Sequence, residues 1–308
     1  MDQAEGNAET GTAGPSRHPA IHLVLIPETV QLTRTSFFKS RSTRRFPHWA
    51  AFFLYLPFTA PHFPAQAHPD WEGKSGNGAY GDVVEEMDAR VGEVLETLRE
   101  LELEKKTLVV FLSDNGPDPS QRKFATAAPH RGLKWSTMDG GTRVPCILSW
   151  LGVIPSGQES DALIAAIDLL PTLAHACGTA IDPQAGSPPI DGLSVWGTLS
   201  GQITKEPHPR RDLLYWNGWA VPQAIRLGDW KLYFDEVKGV PGSDHGPALS
   251  DLASDPPEKH NLAASHPARV AEMLQLARKR LGGIANDSIS LGGSPGEQAI
   301  PAHPRWLQ

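Results

Sequence analysis

The sequence is poor in cysteine, in long apolar runs and in basic charge. Two cysteines, Cys146 and Cys177, occur in 308 residues, so at most one disulfide could form and their spacing is not that of a metal site. With 28 basic and 35 acidic residues the formal net charge is -7, which argues against a nucleic-acid partner. The most apolar segment, residues 50–58, has less than half of the roughly 20 residues that a membrane-spanning helix needs. These absences predict a globular protein without a membrane span, and the 40% apolar content suffices for a sizeable core.

The N-terminal residues also lack the pattern of a secretory signal. Residues 1 to about 20 are acidic, polar and rich in glycine and alanine, without the basic start and apolar run of a secretory signal. They offer too little apolar surface to offset the entropy of ordering. We therefore expect residues 1–45 to form a disordered or divergent leader, and the sequence as written predicts no export.

The following residues alternate between strand-like and helix-like patterns. "AAFFLYLPF" (50–58) is typical of a buried strand, and apolar residues every three or four positions between Asp82 and Lys105 predict an amphipathic helix. "TLVVFLS" (107–113) is a continuous apolar run of the kind found when helices cover both faces of a sheet, and "RVPCILSW" (143–150) is a further strand candidate. This order indicates an α/β domain with a mainly parallel sheet.

The remaining sequence completes the first domain and then predicts a second, smaller unit. "ALIAAIDLLPTLAHACG" (162–178) is interpreted as a short strand and a helix with Asp168 as its N-cap. After about residue 205, short strand-like runs predict an antiparallel sheet with a hairpin at Gly228 and Asp229. A closing helix is expected over 267–281. The predicted boundaries are therefore 46–204 for the first domain, 205–281 for the antiparallel subdomain and 282–308 for a loose tail.

Four polar residues are candidates for chemistry, and each has a structural alternative. Asp114 and Asn115 follow a predicted strand, where they could be turn formers or oxygen ligands of Ca²⁺ or Mg²⁺. His62 in "PFTAPHFP" could be a structural histidine, and Lys134 in "HRGLKWSTMDGGTRVP" a surface lysine. Because ligands gather beyond the carboxyl ends of strands in α/β sheets, Asp114, Asn115 and His62 stand where a site is expected. Nearby glycines would let the backbone approach an anion bound by Lys134.

The motifs in order carry a family resemblance. "FFLYLPFTAPHFP", "VVFLSDNGPD", "HRGLKWSTMDGGTRVP", "RLGDWKL" and "LSDLASDPPEKHNLA" follow one another over about residues 46–281. In this order the sequence resembles the arylsulfatase (sulfatase) family of the alkaline-phosphatase-like superfamily. The resemblance implies a partial alkaline-phosphatase-like α/β fold, a mixed or parallel sheet flanked by helices with a small C-terminal antiparallel sheet. It also implies a sulfuric ester hydrolase whose partner is a sulfate ester small molecule or a sulfated glycan.

The resemblance also assigns roles. It implies that Asp114 and Asn115 are metal ligands for Ca²⁺ or Mg²⁺, that Lys134 contacts the sulfate, and that His62 lies at the sulfate and leaving-group oxygen. Fixed positive groups at those positions stabilise charge that moves onto the leaving oxygen. The family is mostly lysosomal, secreted or periplasmic, an address that cannot be carried over to a sequence without a signal.

The sequence departs from the family at the nucleophile. Neither cysteine stands in the Cys-x-Pro-Ser-Arg motif that supplies formylglycine, and "AGPSR" (13–17) has alanine in the place of cysteine. The earlier pair of metal-binding aspartates is also missing, so cation binding should be weak. Trp135 and Asp139 stand where the family often has glycine and glutamate.

These departures predict that the chain is inactive alone. A truncated gene model, an alternative product and a degenerate copy are the interpretations left open. A non-catalytic remnant that binds anions or sulfated glycans, and a phosphodiesterase-like hydrolase of the same superfamily, are the alternative functions.

Overall fold

Two four-stranded sheets organise the residues that the structure describes. The structure is a computed structural model, and it describes residues 22–27, 51–179, 181, 190–201, 210–218 and 221–286. The strands of the first sheet, in chain order, are β1 His22–Pro27, β2 Phe53–Tyr55, β3 Thr107–Leu112 and β4 Cys146–Ser149. Their spatial order is β2-β1-β3-β4. The first three are parallel and β4 is antiparallel to β3, so the sheet is mixed and the α/β prediction is confirmed.

Strand β1 corrects the interpretation of the N-terminal residues. It lies inside the segment expected to be a disordered or divergent leader, yet its backbone pairs with β2 on one side and with all of β3 on the other. The segment "HLVLIP" is an apolar run of strand length, but its partners lie about 30 and 85 residues away. A parallel pairing of that separation leaves no local signal. The other residues of the expected leader lie outside the described residues.

Strand β3 is covered on both faces, as its continuous apolar sequence predicts. Leu108, Val110 and Leu112 pack into a cluster with Trp150 and Trp196. Val109 and Phe111 point to the opposite face, where they pack with Met87 and Leu98 of a helix. Burial of alternate residues on two faces makes β3 the strand around which the first core is built.

That helix, α1, spans Gly78–Glu100 rather than the expected 82–105. Its buried side chains Val83, Met87 and Leu98 lie on one face, which accounts for the apolar periodicity. The helix ends early because Glu102 adopts a left-handed conformation with φ 55° and the Leu103 N–H turns back to the Leu98 carbonyl. Leu101, expected on the apolar face, is exposed.

Three short helices follow: α2 Asp139–Thr142, α3 Leu169–Ala176 and α4 Trp196–Leu199. The strand predicted before α3 does not form. Asp168 precedes α3 but makes no side-chain cap; its buried carboxylate instead accepts two hydrogen bonds from Arg210, each 2.6 Å long, and one from the Leu193 N–H. A buried carboxylate needs a charged partner more than it needs a capping role.

The second sheet is an antiparallel meander, as predicted. Its strands are β5 Asp212–Trp216, β6 Pro222–Leu227, β7 Trp230–Tyr233 and β8 Ala248–Asp251. Gly228, at φ 59°, and Asp229 form the expected hairpin between β6 and β7.

Helix α5, Pro267–Asn286, packs Met273 and Ala277 on one face of this sheet. It continues through Gly282, where its end was predicted, so glycine is tolerated there at a modest cost in helix stability. The loose tail expected over 282–308 is therefore wrong for residues 282–286, which are helical, and residues 287–308 lie outside the described residues. Within the described chain, no helix is both long and apolar enough to cross a membrane.

Candidate active site

The carboxyl edge of the first sheet collects the predicted site residues. Because β1, β2 and β3 are parallel, their C-terminal ends face one side, with Pro27 of β1 opposite Leu112 of β3. The loop after β2 carries His62, and the loop after β3 carries Asp114 and Asn115. The fold therefore places the predicted residues at the edge where ligands bind in α/β proteins.

The loop after β3 is anchored through its backbone. Ser113 Oγ donates a 2.9 Å hydrogen bond to the carbonyl oxygen of Asn115, and the Gly116 N–H donates to the Gly141 carbonyl at 3.0 Å. These bonds leave the Asp114 side chain exposed and that of Asn115 half-buried. Neither side chain hydrogen-bonds to another described residue, so both can face an incoming ligand.

Glycines allow this loop to press against the segment that carries Lys134. A Cβ atom on Gly116 would lie 1.9 Å from the Gly140 carbonyl oxygen, and one on Gly140 would lie 2.4 Å from the Gly132 carbonyl oxygen. Both approaches are shorter than any side chain permits. The glycines thus serve backbone contact within the protein, whereas the sequence suggested that they admit a ligand.

Lys134 is held against the loop after β3. Its N–H donates to the Pro117 carbonyl at 2.9 Å, and its side chain is only 14% exposed. The ammonium Nζ lies 3.9 Å from Asp118 Oδ2, which is longer than a hydrogen bond. Its donors can therefore be offered to an anion, which is what the prediction for Lys134 requires.

The pKa of Asp118 reflects its hydrogen bonds and the charged groups around it. Two hydrogen bonds from Ser120 lower the pKa of the Asp118 carboxyl, and the positive charges of Lys134 and protonated His62 lower it further, against the opposing effect of burial. His62 itself is exposed, and its Nδ1 lies 2.7 Å from the Phe63 carbonyl oxygen. Since a carbonyl only accepts, Nδ1 carries the proton and Nε2 is the nitrogen left for a ligand. Lys134 is thus the charged neighbour of Asp118, and His62 lies near enough for a positive charge on it to influence that carboxyl.

The metal site stays a prediction, for which the described residues offer two suitable side chains. Asp114 and Asn115 offer carboxylate and amide oxygens, which suit Ca²⁺ or Mg²⁺. Among the described residues no group of three or more His, Cys, Asp or Glu side chains could hold a metal ion. The pair therefore supplies only part of the six to eight oxygens that Ca²⁺ usually takes.

A buried charged cluster joins the segment after Lys134 to the second sheet. No pattern in the sequence predicted it. Lys231 Nζ of β7 lies 2.8 Å from Asp139 Oδ1 and 3.6 Å from Glu258 Oε1. The Asp139 N–H donates to Glu258 Oε1 at 2.9 Å, and Tyr233 donates a short hydrogen bond to Glu258 Oε2. Asp139 begins α2, only five residues after Lys134. The lysine inside the apolar run "WKLY" was the one available signal.

The cluster favours the ionised form of Asp139. Burial alone would raise the pKa of Asp139, but the Lys231 ammonium and the Arg226 guanidinium lower it below its ordinary value. Burial raises the pKa of Tyr233, and the negative charge of Glu258 raises it further, so this phenol stays a hydrogen-bond donor. Opposite charges that share one buried space fix α2 against the second sheet.

The two cysteines do not resemble an activated nucleophile. Cys146 begins β4 and Cys177 ends α3, and both are unpaired. Desolvation raises the pKa of each thiol, so the reactive thiolate is disfavoured at neutral pH.

Comparisons with known proteins identify relatives of this chain. The Sulfatase family model matches residues 50–179. N-acetylgalactosamine-6-O-sulfatase of Bacteroides thetaiotaomicron is 32% identical over 245 residues, which are 73% of this chain and 46% of that protein. Steryl-sulfatase of Rattus norvegicus is 34% identical over 255 residues, 73% of this chain and 43% of the relative.

One solved structure is also similar to this chain in fold and sequence. It was determined in work on the metabolism of multiple glycosaminoglycans by Bacteroides thetaiotaomicron, and it superposes with a TM-score of 0.67 at 30% identity. The match covers 80% of this chain and 52% of that one.

The class that these features define is an α/β protein with a largely buried lysine near the carboxyl edge of its first sheet. The chain belongs to the sulfatase family, as the resemblance in its motifs predicted. It spans about half the length of the curated relatives it matches.

Proposed function

We propose that the ligands of this protein are sulfate monoesters, the substrates of sulfuric ester hydrolases of arylsulfatase type, and that its described residues form the anion-contacting part of such a site. The supporting observation is that the Lys134 ammonium, with its side chain only 14% exposed, lies 3.9 Å from the Asp118 carboxylate at the edge of the sheet where the loop carrying His62 also lies. A largely buried ammonium that faces a carboxylate can face a sulfate in the same way, because both anions offer acceptor oxygens.

The two residues have distinct roles in this proposal. The Lys134 ammonium donates to a sulfate oxygen, and its low exposure strengthens that interaction by limiting solvent screening. His62, with its proton fixed on Nδ1 by Phe63, uses Nε2 at the oxygen that joins sulfur to the alcohol. When protonated, Nε2–H stabilises the negative charge that this oxygen gains as the ester bond breaks.

A divalent cation would add positive charge beside the negative sulfate. Asp114 and Asn115 would hold Ca²⁺ or Mg²⁺, which supplies positive charge beside the sulfate when bound. Because the described residues offer two ligands, we expect weak binding.

We further propose that these 308 residues bind sulfate esters without turning them over. Neither cysteine stands in a Cys-x-Pro-Ser-Arg motif, and both thiols have raised pKa values. Hydrolysis needs a nucleophile, so the activity of this sequence alone is that of an anion or sulfated-glycan binding protein. The name of the Bacteroides relative, a sulfatase of N-acetylgalactosamine 6-O-sulfate, supports a sulfated saccharide as the ligand.

Calorimetric titration with N-acetylgalactosamine 6-sulfate tests the binding. We expect saturable heat, weakened at least tenfold by Lys134→Ala. Lys123→Ala is the matched control, because Lys123 is an exposed lysine in the neighbouring turn, and it should leave the affinity unchanged. Equal affinities for the wild type and Lys134→Ala would remove the basis of the proposal.

A turnover assay tests the missing nucleophile. The purified chain should not release 4-nitrocatechol from its sulfate above the uncatalysed rate. Robust turnover that survives Cys146→Ala with Cys177→Ala would show that the site carries another nucleophile and that the second proposal is wrong.

A further inference from the structure

Trp135, the neighbour of Lys134, combines an unusual backbone with an unusual exposure. Its side chain is 79% exposed, more than any other large apolar side chain in the described part of the chain. Its φ is +75°, in the left-handed region. Bulky residues rarely adopt this conformation, so the backbone at Trp135 is strained.

The strain follows from the turn that presents Lys134. The Ser136 N–H donates to the Leu133 carbonyl at 3.0 Å, which closes a four-residue turn with Lys134 and Trp135 at its centre. Trp135 takes the third position, where a positive φ favours glycine. A tryptophan here lowers stability through backbone strain, and its exposed apolar surface gains almost nothing from burial. Folding therefore does not explain the choice of residue.

The position of the indole suggests a role. Lys134 Nζ lies 5.6 Å from the centre of the Trp135 ring. Gly218 is a neighbour of the six-membered part of the indole, since a Cβ atom added to it would lie 3.7 Å from Trp135 Cε3. With Trp135 79% exposed, most of the ring surface remains open to a ligand bound at the ammonium group.

We propose that Trp135 is a specificity-determining residue whose indole stacks on the ring that carries the sulfate, so that the site selects ring-borne sulfate monoesters. This inference rests on the proposed function of Lys134. A hydrogen bond from the ammonium spans about 2.8 Å, and the bound sulfate oxygen is separated from the ring by the S–O and C–O bonds of the ester, plus one C–C bond in a pyranoside 6-sulfate. The distance of 5.6 Å between Nζ and the indole centre therefore matches a sulfate on the lysine with its own ring on the tryptophan.

The chemistry of both partners supports this match. The C–H face of a pyranoside and the face of an aryl ring are flat and weakly hydrated, so either gains by covering an exposed indole. An open-chain alkyl sulfate has no such face. Inorganic sulfate can bind the Lys134 ammonium but has no ring that could cover the indole.

The test compares Trp135→Gly with the wild type by calorimetry, using four probes: inorganic sulfate, butyl sulfate, N-acetylgalactosamine 6-sulfate and 4-nitrophenyl sulfate. We expect Trp135→Gly to lose about tenfold or more in affinity for the two ring-borne esters and less than twofold for the other two. The larger loss between the saccharide and the aryl ester identifies the preferred ring. Trp135→Ala, which keeps the strained backbone but lacks the indole, should behave in the same way.

Two controls separate the outcomes. Trp71→Ala removes an indole that also lies near a lysine, with Lys74 Nζ 5.5 Å from its ring, and should change no affinity. Glycine relieves the strain at residue 135, so the melting temperature of Trp135→Gly should not fall. Equal losses for ring-borne and open-chain probes would overturn the role of Trp135 while the effect of Lys134→Ala still supports the anion site. Should Lys134→Ala also leave every affinity unchanged, the proposed function fails with it.

Discussion

Asp139 and Lys231 form a buried ion pair, with 2.8 Å between Oδ1 and Nζ, across 92 residues of sequence. The pair joins the segment that carries Lys134 to the second sheet. It thus connects the stability of one part of the fold to the geometry of the candidate site in the other.

Breaking this pair from one side should destabilise the protein strongly. Lys231→Met leaves Asp139 and Glu258 buried without their cation, and we expect a loss of about 3–5 kcal/mol in the free energy of unfolding. Urea denaturation measures it. The double variant Lys231→Met with Asp139→Asn should recover part of the loss, because it removes one uncompensated charge. Lys259→Met, at an exposed lysine, should stay within about 0.5 kcal/mol of the wild type. Additive effects of the two substitutions would contradict the coupling.

The same pair predicts a dependence on pH. Although burial raises the pKa of Asp139, the charges of Lys231 and Arg226 outweigh it and lower that pKa from its ordinary 3.8. The contribution of Asp139 to stability is therefore complete above that ordinary value and is lost as the pH falls through the lower folded-state value. Denaturation at pH 7, 5, 4 and 3 should show a steeper acid loss in the wild type than in Asp139→Asn. Parallel curves would mean that Asp139 does not titrate with a lowered pKa.

Asp118 should oppose the binding of an anion to Lys134. Two unit charges about 4 Å apart interact by about 1 kcal/mol in a water-like dielectric, which is about fivefold in affinity. Asp118→Asn removes that repulsion and keeps an oxygen for the Ser120 N–H, so calorimetry should show N-acetylgalactosamine 6-sulfate binding about fivefold more tightly. A lower affinity would instead make Asp118 a residue that orients Lys134.

The contact between Gly116 and Gly140 should not tolerate a methyl group. Gly116→Ala places Cβ 1.9 Å from a carbonyl oxygen, and we expect a loss of about 1–3 kcal/mol in stability from overpacking. It should also weaken sulfate ester binding, because the loop after β3 must move away from Lys134. Gly92→Ala is the control: this helical glycine has no atom near its added Cβ, so stability should rise by about 0.5–1 kcal/mol. Thermal and urea unfolding of both variants decide the matter.

Calcium should bind weakly and through Asp114. A calorimetric titration should give a Kd of about 10⁻⁴ to 10⁻³ M, the range of sites with few ligands. Asp114→Asn should abolish the heat, and Asp88→Asn, at an exposed helical aspartate, should not. Binding that is unaffected by Asp114→Asn would place the cation elsewhere.

Local patterns were enough to predict much of the fold. The unbroken apolar run of β3 predicted a strand with two covered faces, and in the structure Val110 and Phe111 do point to opposite cores. The turn at Gly228 and Asp229 likewise predicted the hairpin. Both features depend on neighbours in sequence, which is why pattern and structure agree there.

The missed features depend on distant partners. Strand β1 is stabilised by two parallel neighbours, and Asp139 by a lysine on another sheet. At the candidate site, the positions of His62, Asp114, Asn115 and Lys134 followed from strand ends and from the family motifs. The closeness of Asp118 to Lys134 did not, because it arises only when two loops meet. The left-handed backbone at Trp135 did not either, because tryptophan gives no signal for that conformation.

The formal charges of the buried cluster cancel, since Asp139 and Glu258 are negative while Lys231 and Arg226 are positive. During divergence, a lineage could not change the sign of one member without stranding another, so replacements there should arise as compensating pairs. Related sequences should accordingly show these four positions covarying, even where the exposed residues around Lys134 have drifted toward new ligands.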